Sequence, residues 1–252
     1  MDRIAIPALS FRGFSNLKQM NRVSVIIPAY QPGPELVKTV EGLRGKSDNL
    51  EIIVVNDGSA PLYNDMFNQV INYDVHLVTY LQNLGKGAAL KKGFEYWQTH
   101  FSNAQVGVVT ADADGQHHVD DILLLVKAMQ NDSNSLHLGV RQLSAEVVPW
   151  RSQLGNWLSA LIFQSVSKIQ IIDTQTGLRG VGTKLLTHTK NCKATGYDFE
   201  MEMLLIAVKN NIPIRQHPIR TLYLAGNTSS HFKPIKDSCK VYKVFWNHLI
   251  HK

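Results

Sequence analysis

Four short runs of β-branched and aliphatic residues break off at polar, turn-forming segments, and a helix-length stretch follows each. They are Val23–Ile27, closed by Pro28; Glu51–Val55, ended by Asn56–Ser59; Val75–Tyr80; and Val106–Thr110. Between them, the pattern predicts helices from near Pro34 to about Leu43, over Asp65–Asn72, from the Gly-rich turn at 84–87 into the residues beyond, and over Asp121–Met129. Strand and helix alternating at this spacing imply an α/β chain, with a mostly parallel central sheet flanked by helices. No internal repeat or low-complexity linker interrupts it, which argues for one domain. The divisions expected are an irregular arm over 1–21, a domain over 22–232, and a C-terminal amphipathic basic helix over 233–252.

In open parallel sheets, ligands bind beyond the carboxyl ends of the strands. Four polar segments fall there: Pro28–Tyr30, Asn56–Ser59, Asn83–Lys86 and Asp112–Gln116. The last is the most specific. Side chains alternate along extended backbone, so Asp112, Asp114 and Gln116 can share one side. Two carboxylates and an amide oxygen crowded together repel unless a hard cation lies between them, and such oxygen donors suit Mg²⁺ or Mn²⁺. The plainer alternative is an acidic turn after a strand. Lys86, in the run LGKGAAL, can reach a phosphate or a nucleobase, or simply begin a helix packed through Ala88 and Ala89. His117 and His118 adjoin the acidic motif, but no third His or Cys has metal-ligand spacing, so they read as loop residues. Neither a G-x-G-x-x-G after the first strand nor a G-x-x-x-x-G-K-[ST] occurs, against a dinucleotide dehydrogenase and a P-loop NTPase.

Charge narrows the partners without choosing one. Lys and Arg total 26 against 20 Asp and Glu, a net charge of +6 that favours an anionic partner. No aromatic-basic stripe or nucleic-acid-binding motif accompanies it, so nucleic acid is not expected. Two cysteines, Cys192 and Cys239, are too few for a disulfide framework, and a cytoplasmic setting is expected. No run approaches the length of a transmembrane helix and no apolar h-region is found near the start, so the expectation is a chain that is soluble or rests on a membrane surface.

The motifs VSVIIPAY, EIIVVNDGS, NLGKGAAL, TADADGQH and DTQTGLRG, in that order, resemble the family 2 glycosyltransferases with a GT-A fold, most closely the branch of dolichyl- and polyprenyl-phosphate hexosyltransferases. The likeness runs from about Val23 to Gly180. It implies a nucleotide-binding N-terminal half and an acceptor-binding C-terminal half within one domain. It further implies that Pro28, Ala29 and Tyr30 line the nucleobase and ribose pocket, that Asp57 hydrogen-bonds the base, and that Asp112 sits over the ribose and diphosphate with Lys86 nearby. Asp112, Asp114 and Gln116 become the metal set, Arg151 an acceptor-phosphate residue, and Asp114, Arg141, Arg179 and Glu200 the candidate catalytic residues. Two departures stand out. The first loop reads AYQPGPE rather than AYNEE, which puts a role for Glu35 in doubt; the second reads NDGS rather than DDGS, which removes a carboxylate at Asn56.

The reaction so implied is a metal-dependent, inverting transfer of a hexose from a UDP- or GDP-sugar to a polyprenyl-phosphate carrier, at the inner membrane face. A saccharide hydroxyl is the alternative acceptor; it needs a general base, whereas a phosphate brings its own negative charge. The run GYDFEMEML offers Asp198, Glu200 and Glu202, with Glu200 the candidate base if one exists and a dipole-compensating helix start as the alternative. Residues 154–168 and 233–252 carry apolar stripes at helical spacing, with Lys168 off the first and Lys236, Lys240, Lys243 and Lys252 adding positive charge to the second. Each suits a peripheral membrane surface, core packing, a homodimer contact or a membrane partner subunit. A non-catalytic nucleotide-binding scaffold is the reading least favoured by an intact acidic motif.

Overall fold

The computed structural model describes residues 22–141 and 150–220, with side chains from residue 159 onward in the second stretch. The arm expected over 1–21 and the C-terminal helix expected over 233–252 therefore lie outside the described residues, as does the Arg151 side chain. The elements in chain order are β1 (Arg22–Ala29), α1 (Glu35–Lys46), β2 (Glu51–Asp57), α2 (Asn64–Ile71), β3 (His76–Tyr80), α3 (Lys86–His100), β4 (Gln105–Thr110), α4 (Val119–Asn131), β5 (Leu136–Arg141), α5 (Trp150–Ser167), β6 (Arg179–Gly182), α6 (Thr183–Thr189), α7 (Asp198–Lys209) and β7 (Ile214–Ile219).

Seven strands form one sheet in the order β3-β2-β1-β4-β6-β5-β7. All neighbours are parallel except for β6, which runs antiparallel to both β4 and β5. The chain steps outward from β1 through β2 to β3, then returns to the other side of β1 with β4. That reversal is a topological switch point, and it puts the carboxyl ends of β1, β2 and β4 around one crevice.

The period-2 pattern of the strands explains the layering. Val25, Ile27 and Val54 point into one apolar core with Leu36, Val40 and Leu43 of α1 and Ile122, Leu125 and Met129 of α4. Their neighbours Ile26, Ile53 and Val55 point into the opposite core, with Leu90, Phe94 and Trp97 of α3, Phe163 of α5 and Phe199, Met203 and Leu204 of α7. Each such side chain is worth about 1.5–3 kcal/mol when fully buried. The result is a sheet covered by helices on both faces, as the alternation implied.

Two features of the sheet differ from expectation. Pro28 lies within β1, opposite Val55 of β2. The missing proline N–H costs no ladder bond, because pairing of β1 with β4 has already ended at Ile26 and Thr110 and Pro28 faces that side. The second half of the sheet, β5, β6 and β7, went unforeseen: these strands are interrupted by Gly or Pro, as in LHLGVR, RGVG and IRQHPI.

Candidate active site

The second and third loops form one unit. Asp57, at the end of β2 and almost wholly buried, accepts hydrogen bonds from the Tyr80 hydroxyl (2.6 Å), the Leu84 N–H (2.8 Å) and the Gly85 N–H (3.0 Å). Its charge thus fixes the turn that launches α3. Gly85 caps that helix at φ +98°, a left-handed conformation open to glycine, and a Cβ there would strike the Thr195 carbonyl. Asn56 supplies an acceptor to the Ser59 N–H (2.9 Å), whose hydroxyl in turn accepts from the Gln31 N–H (2.8 Å) and ties the first loop to the second. The Asn in NDGS therefore loses a charge but keeps the turn, since Asn and Asp serve equally as acceptors there. Glu35 falls in the first turn of α1, where an acid complements the helix dipole.

Lys86 is the first residue of α3, a position where the helix dipole disfavours positive charge. Its environment supplies the compensation. The ammonium is 2.6 Å from Asp112 Oδ1 and 2.7 Å from Glu200 Oε1, and 5.4 Å from the Tyr197 ring centroid. Burial alone would favour neutral lysine, but the charges of Asp112 and Glu200 reverse this and hold its pKa well above the ordinary lysine value. Asp112 is the converse case. Burial raises its pKa, yet Lys86 and His117, whose Nε2 is 3.4 Å from Oδ2, bring it far below the usual carboxylate range.

Asp114 behaves differently. Burial and the nearby charge of Asp112 push its carboxyl upward, against a stabilising hydrogen bond from the Gln116 N–H (3.1 Å). Two carboxylates close enough to repel are a donor pair that fits a divalent cation. Among the described residues no cluster of three or more His, Cys, Asp or Glu side chains is arranged for a metal. A cation here would accordingly draw on Asp112, Asp114 and Gln116 and fill further positions from water or a substrate phosphate.

The segment 173–179 closes over this site. A Cβ built on Gly177 would collide with the Asp112 carboxylate, so only glycine permits the approach. Arg179 is 1% exposed and donates to the carbonyls of Thr176 (2.8 Å), Glu200 (2.5 Å) and Thr174 (2.9 Å). It holds this segment and α7 together and provides fixed positive charge behind Asp112 and Glu200. Arg141, at the end of β5, is gripped by fully buried Asp173 through Nε (2.6 Å) and Nη2 (3.1 Å). Arg151 falls in the first turn of α5.

The acids of α7 divide sharply. Asp198 accepts from the Gly196 N–H (2.9 Å), and Glu202 from the N–H groups of Ala194 (2.9 Å) and Lys193 (3.3 Å). Only Glu200 turns into the site, where it is 4% exposed; burial outweighs the pull of Lys86 and Arg179, and its pKa is raised. Pro28 and Ala29 are buried at the end of β1, with Tyr30 half-buried beside Gln31. Reading the sequence did not single out Tyr80, Asp173 or Gly177, nor Tyr197 for the site. Asp173 and Gly177 do lie inside the quoted DTQTGLRG motif.

A parallel sheet with a carboxylate-rich site at its switch point is the architecture of the GT-A glycosyltransferases. Glucosyl-3-phosphoglycerate synthase from Mycobacterium tuberculosis, solved with Mn²⁺, UDP and glucosyl-3-phosphoglycerate, matches with a TM-score of 0.66 over 98% of this chain and 86% of that one, at 17% identity. The chain belongs to glycosyl transferase family 2, whose model matches residues 24–195. Among its relatives, the UDP-N-acetylglucosamine–dolichyl-phosphate N-acetylglucosaminyltransferase of Methanococcus voltae is 30% identical over 80% of this chain and 86% of its own. The polyprenol monophosphomannose synthase of Mycolicibacterium smegmatis is 24% identical over 81% and 79% respectively. The protein is a glycosyltransferase, similar to enzymes named for polyprenyl-phosphate acceptors.

Proposed function

We propose that the enzyme moves a hexose from a UDP- or GDP-sugar to a polyprenyl phosphate, with inversion, in a Mg²⁺- or Mn²⁺-dependent reaction at a membrane surface. The observation that carries the choice of acceptor is the commitment of all three acids of α7. Asp198 and Glu202 accept backbone hydrogen bonds, and Glu200 is buried against Lys86. A hydroxyl acceptor needs a carboxylate to take its proton. A lipid phosphate, whose second pKa is about 6, is already a nucleophilic oxyanion near neutrality. The names of the relatives favour the same acceptor.

In this reading Pro28, Ala29 and Tyr30 flank the base, and Asp57 shapes that pocket by holding the turn at Leu84 and Gly85. Asp112, Asp114 and Gln116 would hold the cation, which when bound neutralises the charge that develops on the departing diphosphate. Lys86 and Arg179 add fixed positive charge, effective because both are largely withdrawn from solvent. Arg141, oriented by Asp173, and Arg151 would serve the acceptor phosphate. Among the described residues no helix is long and apolar enough to cross a membrane; α5 and the residues beyond 220 would meet the lipid surface, with a dimer or a membrane subunit as further contacts.

The test is transfer of radiolabelled sugar from UDP-glucose, UDP-GlcNAc or GDP-mannose in the presence of polyprenyl-phosphate-containing membranes and Mn²⁺. Label is expected in an organic-extractable, mild-acid-labile lipid, and Asp114→Ala should lower it by about 100-fold or more. Label confined to water-soluble saccharide would assign a hydroxyl acceptor instead. Absence of transfer from every donor would refute the proposal.

A further inference from the structure

Lys86 touches two carboxylates, yet one would suffice to neutralise it. Its ammonium lies almost equally close to Asp112 Oδ1 (2.6 Å) and Glu200 Oε1 (2.7 Å). Glu200 Oε1 is buried and has no well-aligned hydrogen bond among the described residues, so its contact with Lys86 is a charge contact. Asp112 is also one of the oxygens that the cation would take. A divalent ion and an ammonium on the same carboxylate repel strongly in a site of low dielectric.

We infer that Lys86 is the resident counter-ion of Asp112, and that Glu200 is the carboxylate that retains Lys86 when a divalent cation claims Asp112. The inference rests on the metal-dependent reading above and deepens it. Charge balance supports it. One ammonium faces the two carboxylates of Asp112 and Glu200, so Lys86 stays neutralised by Glu200 when Asp112 is given up to a cation. Geometry supports it equally. Glu200 stands in the first turn of α7, anchored by the Arg179 hydrogen bond to its own carbonyl, and Lys86 stands at the first residue of α3, anchored by the Asp57-bound turn. Both ends of the Lys86–Glu200 contact are thus held by backbone, and only the contact with Asp112 need lengthen. Glu200 is in this account a positioning residue that acts through Lys86.

The test is binding of Mn²⁺ alone, measured from the electron paramagnetic resonance signal of the free ion, on the full chain and without nucleotide. Glu200→Gln should weaken Mn²⁺ binding by about tenfold, the scale on which groups behind the ligands act. Glu200→Asp, which keeps the charge but withdraws it from Lys86, should weaken it comparably. Lys86→Met should tighten binding, and in that background Glu200→Gln should have no further effect. Circular dichroism verifies folding of each variant; should Lys86→Met not fold, the Glu200→Asp comparison decides alone. Three results overturn the inference while leaving metal dependence intact: unchanged binding in Glu200→Gln, wild-type binding in Glu200→Asp, or a Glu200→Gln loss that persists without Lys86. Absence of Mn²⁺ uptake by the wild type at millimolar concentration would overturn both.

Discussion

Arg179 shows how a residue of catalytic type can serve architecture. Its guanidinium bridges three carbonyls, those of Thr174, Thr176 and Glu200, from a fully buried position. Lysine keeps the charge but gathers its donors on one nitrogen and cannot span that fan. Arg179→Lys should therefore cost about 3 kcal/mol, since buried acceptors are left unmatched. Chemical denaturation measures it: the midpoint should fall with little change in slope, and an unchanged midpoint would contradict the assigned contacts. The DTQTGLRG motif pointed to this position, but nothing in a linear motif distinguishes an arginine that meets substrate from one that ties a loop. Asp57 is parallel. It reads as a base-binding acid, and in the fold its two oxygens are spent largely on Tyr80 and the turn at residues 84 and 85.

Elements differ in how openly they declare themselves. The strands β1, β2 and β4 carry long aliphatic runs because both faces of a central parallel strand are buried. The strand β7, at the edge, alternates weakly and contains Pro218, which an edge tolerates. Its attachment uses histidines instead. His137 Nε2 is 2.6 Å from the Asp132 carbonyl and donates to it, and its Nδ1 shares a hydrogen bond with His217 Nε2 at 2.8 Å. Burial and then the adjacent His137 lower the pKa of His217 below its ordinary 6.5. On acidification the unfolded chain takes up that proton before the folded one does, so stability is complete above pH 6.5 and declines as pH falls below it. Denaturation midpoints of the wild type should drop between about pH 7.5 and about pH 5.5, and the drop should shrink in His217→Leu. An equal pH dependence in both proteins would remove this pair from the account; Asp132 and Arg215 are the charged groups beside it.

At the scale of the molecule, the two apolar cores and the charged crevice are separate structures. No described core residue depends on a cation, and the acidic residues of the site lie at the sheet's carboxyl edge rather than in its interior. Removal of divalent ions with EDTA should therefore abolish transfer while leaving the far-ultraviolet dichroism unchanged, with activity restored by Mn²⁺ or Mg²⁺. Loss of secondary structure on chelation would instead make the metal a structural one. The first four strands, the class of fold and the strand-end segments that line the crevice were legible beforehand, because aliphatic periodicity, turn chemistry and the position of ligands beyond strand ends are local or topological rules. What local rules could not supply were the partners: that Lys86 would meet Asp112 and Glu200 across 26 and 114 residues of chain, that Asp173 would grip Arg141, or that three further strands would complete the sheet. The amino-acid sequence determined which segments extend, which coil and which carry charge, since those preferences act within a few residues. Only the tertiary structure decided which charges neutralise one another, because ion pairing depends on distances that exist once the sheet, α3 and α7 have packed together.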